Sequence, residues 1–196
     1  IGLNSRETKD TVKAPLMTGD IVVIELAGGL TRAEFESVPG NPVEMAFTPD
    51  MGSLVAYCWP EKYTFTTMTW LVKWDLGTGE RVMSREIRTS PMLPARLSAD
   101  AGVLVYLKLD KNEIERHKGK LDMDGRPLDA ADLSSSVWFR AMHNYQAVAQ
   151  KIEANVELPL VSGYLPVAVD PRGKKALLKT MDGRFKIEEI GTGRAF

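Results

Sequence analysis

The stretch Val72-Lys73-Trp74-Asp75-Leu76-Gly77-Thr78-Gly79-Glu80 decides how this chain is read. A β-rich run with aromatic and acidic residues side by side enters Gly-Thr-Gly, a tight reversal. Over Thr69 to Leu76, the apolar residues Trp70, Val72, Trp74 and Leu76 alternate with Lys73 and Asp75. That period of two is the mark of a strand with one apolar face. A cousin, Glu188-Glu189-Ile190-Gly191-Thr192-Gly193-Arg194, closes the chain, and a looser one, Ile24-Glu25-Leu26-Ala27-Gly28-Gly29-Leu30, stands near its start.

Working outward, short β-branched or apolar runs recur, each bounded by turn residues. Ile21 to Leu26 is one, with Thr31 to Glu36 as its partner. Val43 to Phe47 and Ser53 to Cys58 flank Thr48-Pro49-Asp50-Met51-Gly52, and Arg81 to Ile87 follows the opening motif. Val103 to Leu107 follows Leu97-Ser98-Ala99-Asp100-Ala101-Gly102. Leu165 to Val169 and Ala176 to Lys179 flank Asp170-Pro171-Arg172-Gly173, and Asp182-Gly183 signals a hairpin before Phe185 to Ile190. Pro39 and Pro42 exclude a central strand where they stand. Val137 to Met142 and Tyr145 to Ile152 read as the closing strands of the third unit, although Ala141 to Glu153 is also compatible with a helix.

Three turns align as a repeat: an apolar strand end, a small oxygen-bearing residue, Pro or Ala, then a polar residue before Gly. Gly52 and Gly102 lie 50 positions apart (102 − 52), and Gly102 and Gly173 lie 71 apart (173 − 102). The excess matches the charged connection at 109–135. A period near 50 with four short strands per unit points to an all-β, β-propeller-like repeat of four-stranded antiparallel blades. Residues 1–18 read as a lead-in or edge strand. Residues 19–196 hold the blades, about 19–38, 43–88, 93–153 (with the insertion 109–135) and 165–196. Closed propellers use roughly 4–8 blades, so a partial ring is expected, its remaining blades supplied by the same gene, a second copy or a partner subunit. A small ring completed by residues 1–18 is the other arrangement.

Thr48-Pro49-Asp50 and Gly52, followed by Trp74-Asp75-Leu76-Gly77-Thr78-Gly79-Glu80, resemble the WD-repeat family in its degenerate bacterial form. The resemblance implies an S-P-D-G-type turn joining the first two strands of a blade and a Trp-Asp pair ending the third. It spans about residues 20–196, with one blade matching well and the others loosely. The only histidines are His117 and His143, so the Asp–His–Ser/Thr–Trp network of that family has no ordinary counterpart. Glu188 replaces the Trp in the last blade, and the apolar phase of Phe185, Ile187 and Ile190 slips by one. A different antiparallel sandwich or barrel is the competing architecture.

Bulk composition narrows the partners. Lys and Arg number 25 against 26 Asp and Glu, so no overall field favours nucleic acid or an anionic membrane. The local basic group Arg172, Lys174, Lys175 and Lys179 reads as a solvated strand and turn. Cys58 is the single cysteine, which fits a reducing, cytoplasmic setting. No apolar run approaches the roughly 20 residues that span a bilayer.

Catalytic and metal-binding patterns are weak. No G-x-S-x-G elbow occurs; Ser162-Gly163 reads as a turn, His143 as part of a reversal, and His117, amid Glu115, Arg116 and Lys118, as solvated. Gly77-Thr78-Gly79 sits in a hairpin, not in a nucleotide-binding strand–helix context. Asp122 to Asp132 has some features of a calcium loop. However, Lys120 stands where the first Asp belongs and Pro127 interrupts the spacing, so an exposed Asp124-Gly125 turn is the reading adopted. No catalytic, cofactor or metal residues are therefore expected. The functional expectation is a non-catalytic protein–protein interaction scaffold, with partner proteins or further blades as its ligands. The alternative is a gating propeller of a larger serine hydrolase, similar to the prolyl-oligopeptidase type. The insertion 109–135 is the expected docking element, against a tolerated insertion.

Overall fold

A computed structural model describes residues 2–6, 18–24, 31–35, 40–60, 69–89, 93–108 and 146–196. Every regular element among them is a strand: β1 (Gly2–Arg6), β2 (Thr18–Ile24), β3 (Thr31–Phe35), β4 (Asn41–Phe47), β5 (Ser53–Trp59), β6 (Thr69–Asp75), β7 (Arg81–Ile87), β8 (Ala95–Leu97), β9 (Val103–Lys108), β10 (Gln146–Lys151), β11 (Val156–Ser162), β12 (Leu165–Val169), β13 (Lys175–Lys179) and β14 (Phe185–Glu189). They form four antiparallel sheets in which consecutive strands are neighbours: β1-β2-β3, β4-β5-β6-β7, β8-β9-β10-β11 and β12-β13-β14. Ala195 bridges Glu188, adding the first pair of a fourth strand to the last sheet. This is a β-propeller-like repeat of up-and-down blades.

The chain divides into two compact units, one holding the sheets of β1–β3 and β4–β7, the other those of β8–β11 and β12–β14. In the first, Ile21 and Phe35 pack with Leu54, Ala56, Cys58, Val72 and Trp74. The Trp74 ring lies 5.5 Å from that of Phe35 at 38°. In the second, Val103, Val105, Leu107, Ala147 and Ala149 meet Ala176, Leu178 and Ile190. These central strands are apolar on both faces: Leu54 to Cys58 and Leu104 to Leu107 are all buried.

The aligned turns are one structure, shifted by one residue from the register of their glycines. Thr48 N donates to Ser53 O, Ser98 N to Val103 O, and Asp170 N to Lys175 O. Thr48, Ser98 and Asp170 are thus equivalent, and the second interval is 72 (170 − 98). Positive φ falls on Met51 (56°), Ala101 (56°) and Gly173 (62°). Gly173 therefore matches Met51 and Ala101, and Lys174 takes the place of Gly52 and Gly102. Glycine is needed at 173 because a Cβ there would meet Val103 Cγ2 at 2.5 Å. Gly40 is constrained in a similar way, since its Cβ would stand 1.9 Å from the Trp59 carbonyl oxygen.

The third blade differs from its expected strand order. Gln146 to Lys151 is a strand, not part of a helix, and it pairs directly with β9 from Gln146↔Lys108 to Lys151↔Val103. It is the third strand of the blade rather than the fourth. Val137 to Met142, expected to precede it in the sheet, lie outside the described residues. The fourth strand is Val156–Ser162, which carries Pro159. Proline lacks the N–H that a central ladder needs, but β11 is an edge strand. Pro42 stands in the edge strand β4 on the same terms, beside a register shift between Pro42 and Glu44.

Trp74→Ala should destabilise the first unit by about 3–5 kcal/mol, the usual range for emptying a buried aromatic site. Gly173→Ala should cost about 1–3 kcal/mol through overpacking against Val103, whereas Gly193→Ala adds a Cβ with nothing within 4 Å and bears only the backbone strain. Urea unfolding of the three variants checks the order.

Candidate functional site

Registers bring three positions into correspondence at the end of each third strand. Leu54 pairs with Trp74, Leu104 with Gln150, and Ala176 with Glu188. All three are buried, so the site that holds Trp in one blade holds an amide and a carboxylate in the others. The Glu188 substitution is visible in the sequence; the Gln150 equivalence is not, because the connection between β9 and β10 hides the period. Gln150 Nε2 donates to Asn155 Oδ1 at 3.2 Å, and Asn155 is itself held at φ 53°. Lys186 Nζ lies 3.0 Å from Glu188 Oε2 and 5.8 Å from the centre of the Tyr164 ring. A buried carboxylate without a partner is costly, and Lys186 compensates it.

The turns at the same end are pinned by hydroxyl–carboxylate pairs. Thr48 Oγ1 donates to Asp50 Oδ1 at 2.6 Å, Gly52 N donates to the same carboxylate oxygen at 3.0 Å, and Ser53 N donates to Thr48 Oγ1 at 2.9 Å. Ser98 and Asp100 repeat the pattern at 2.7 Å, with Gly102 N on Asp100 Oδ1 at 3.0 Å and Val103 N on Ser98 Oγ at 2.9 Å. Asp170 does both jobs alone, accepting from Lys175 N at 2.6 Å and from Lys174 N. Asp75 accepts from Gly77 N and Thr78 N, both at 2.8 Å. At the opposite end, Thr180 donates to Asp182, and Arg184 Nε binds Asp182 Oδ2 at 2.9 Å. Every acidic group in these turns therefore accepts bonds that shape backbone.

Other sequence candidates separate. His117, His143 and Asp122 to Asp132 lie outside the described residues. Ser162 ends β11 exposed to solvent before the Gly163 turn (φ 78°). Lys175 Nζ stands 4.7 Å from the Phe196 ring centre and Lys179 Nζ 5.4 Å from that of Phe185, while Arg172 and Lys174 occupy the exposed turn. Among the described residues no group of three or more His, Cys, Asp or Glu is placed to hold a metal ion. Among the described residues no helix is long and apolar enough to cross a membrane.

Cys58 is buried, and burial pushes its thiol up to about 12. Burial also raises Tyr57 to about 12. The thiolate is the reactive form, so Cys58 should resist thiol reagents at pH 8 in the folded chain and react fully in denaturant, as absorbance of a chromogenic disulfide reports.

Four carboxyls are held below their ordinary range: Asp50 by Thr48, Asp75 by the Thr78 backbone, Asp182 by Thr180, and Glu157, where burial opposes, by Lys108 and Tyr106. A lowered folded-state value contributes stability that is present above the unfolded value, roughly 3.9 for Asp and 4.3 for Glu. That contribution is lost as pH falls through the folded value. The urea midpoint should thus be flat from pH 7 to about 5 and fall below about 4, and Asp50→Asn should shallow that fall.

No protein-family model and no curated protein sequence matches the chain. Solved structures to which it is similar include TolB from Acinetobacter baumannii, at 15% identity and TM-score 0.46 over 91% of this chain and 37% of that one. The tricorn protease aligns at 13% identity and TM-score 0.45 over 82% of this chain and 13% of that one. The β-propeller domain of the Trilobed protease from Pyrococcus furiosus, described as having an open velcro topology, aligns at 11% and 0.42 over 81% and 42%. The chain thus spans less than half the length of each of these three.

Proposed function

We propose that the protein is a non-catalytic docking scaffold built from degenerate WD-repeat-type blades, and that it engages protein partners through the variable end of its blades. The observation that carries this reading is a contrast between the two ends. At one end the first two strands of three blades are joined by five residues each, 48–52, 98–102 and 170–174. At the other end the second and third strands are separated by nine residues (60–68), 37 (109–145) and five (180–184). Turns of one length on one side and connections of varying length on the other support the scaffold reading. The expected docking element, 109–135, belongs to the longest of these.

Replacing 109–135 by a short linker should leave unfolding unchanged and remove the partners that the intact chain captures by affinity from its own source. Capture of the same partners by the shortened chain would overturn the docking role.

A further inference from the structure

The face that joins the β12–β14 sheet to the β8–β11 sheet changes character from its inner strand to its third. Ala176 pairs with Glu188 and Leu178 with Lys186, so these four share one face. Ala176, Leu178 and Ile190 place that face against Val103, Val105, Leu107, Ala147 and Ala149. The inner strand is tied to its neighbour. Arg96 Nε of β8 donates to Val167 O of β12 at 3.0 Å. Asp100 N donates to Pro171 O at 3.0 Å, and Gly173 sits so close to Val103 that no Cβ fits between them. All three ties lie on β8 and β12 or on the turns that follow them.

The third strand is held differently. β14 brings Lys186 and Glu188 to the otherwise apolar face. Glu188 is 3% exposed, and Lys186 Nζ answers its charge at 3.0 Å. Yet Glu188 Oε2 accepts no hydrogen bond among the described residues. Two charges withdrawn from water lose much of what their attraction returns, the more so when a lone pair stays unmatched. Parting the sheets at β14 rehydrates both charges, so this side of the contact costs less to open than the tied side.

We infer that the β12–β14 sheet is a hinged vane. Its third strand swings away from the β8–β11 sheet about the tied inner strand, and the Lys186–Glu188 pair is where the two sheets part. The closed form prevails because it keeps Leu178 and Ile190 from water. The open form uncovers Ala149 on β10, while Val103 stays beneath Gly173.

Thiol labelling of the native full chain tests it. Ala149→Cys and, separately, Val103→Cys put a reporter on β10 and beside the tied turn. Mass mapping separates each from Cys58, which is buried in the other unit and serves as the internal reference. The thiol at 149 should react faster than the thiol at 103. Lys186→Met/Glu188→Leu should slow the thiol at 149 by about fivefold or more, the lower end of what apolar replacement of a buried ion pair yields, and leave the thiol at 103 unchanged. Glu188→Gln keeps the shape but leaves the ammonium without its counter-charge, so it should speed the thiol at 149 instead. Equal reaction at 149 and 103, or a rate at 149 that either variant leaves unmoved or shifts the opposite way, would overturn the proposal.

Discussion

The structure depends on a backbone bond repeated in three blades. Leu76 N donates to Gly52 O at 2.9 Å, Ile152 N to Gly102 O at 3.0 Å, and Ile190 N to Lys174 O at 2.8 Å. Each ties the residue just past the end of the third strand to the turn between the first two. The carbonyl it uses belongs to the residue after the positive-φ position. A left-handed residue is therefore required to aim that carbonyl, and Met51 and Ala101 accept the conformation despite their Cβ atoms. Left-handed backbone costs a non-glycine residue about 1–2 kcal/mol. The hydroxyl–carboxylate pairs offset this by satisfying the two N–H groups where each turn enters the second strand. Asp170 replaces the pair by a single acid, and its turn has Gly173 at the strained place.

That tie also accounts for what happens at the Trp position. The tie and the pairing of second and third strands hold the blade corner, so the side chain one step before the tied strand end can change character without losing the corner. Trp74 fills the space against Phe35. Gln150 and Glu188 instead bring polar groups into the core, each answered locally, by Asn155 and by Lys186. Replacing one partner alone would leave a buried polar group unmatched, which is more costly than the pair is stabilising. Pairs of this sort change together or not at all, and this is one physical route by which a repeat loses its signature residues while keeping its fold.

The sequence is legible where periodicity and turn chemistry agree and opaque where they conflict. Thr69 to Asp75 and Phe185 to Glu189 lead into Gly-containing reversals, and both are strands. The turn repeat is visible through Gly52 and Gly102, yet Gly173 misleads by one, because glycine serves two adjacent roles in that turn and the residue type does not distinguish them. Val156 to Ser162 is hidden by Pro159, which reads as punctuation until the strand is known to lie at an edge. Gln146 to Lys151 has four buried residues in a row, Ala147 to Gln150, a run without either period that suits helix and central strand alike. Its long-range pairing with β9 decides the matter, and no local signal reports that pairing. Residue type alone does not report the role of Asp50, Asp75, Asp100 and Asp170, whose carboxylates accept bonds that shape turns.

The unequal ends of the blades follow from the same corner. The tied turns and the reversals after the third strands share one end: Asp75 N donates to Glu80 O at 2.9 Å and Glu189 N to Arg194 O at 2.8 Å. Lengthening any connection there would move a carbonyl out of the tie and unfasten two strands at once. The opposite end carries no such tie in the Thr180 to Arg184 hairpin, whose bonds are all internal to the turn and its flanking residues. A connection at that end lengthens at only the loop-closure cost, about 0.6 kcal/mol per doubling. A blade with a buried four-strand core absorbs this readily, and a blade whose corner turn had grown by as much would not form.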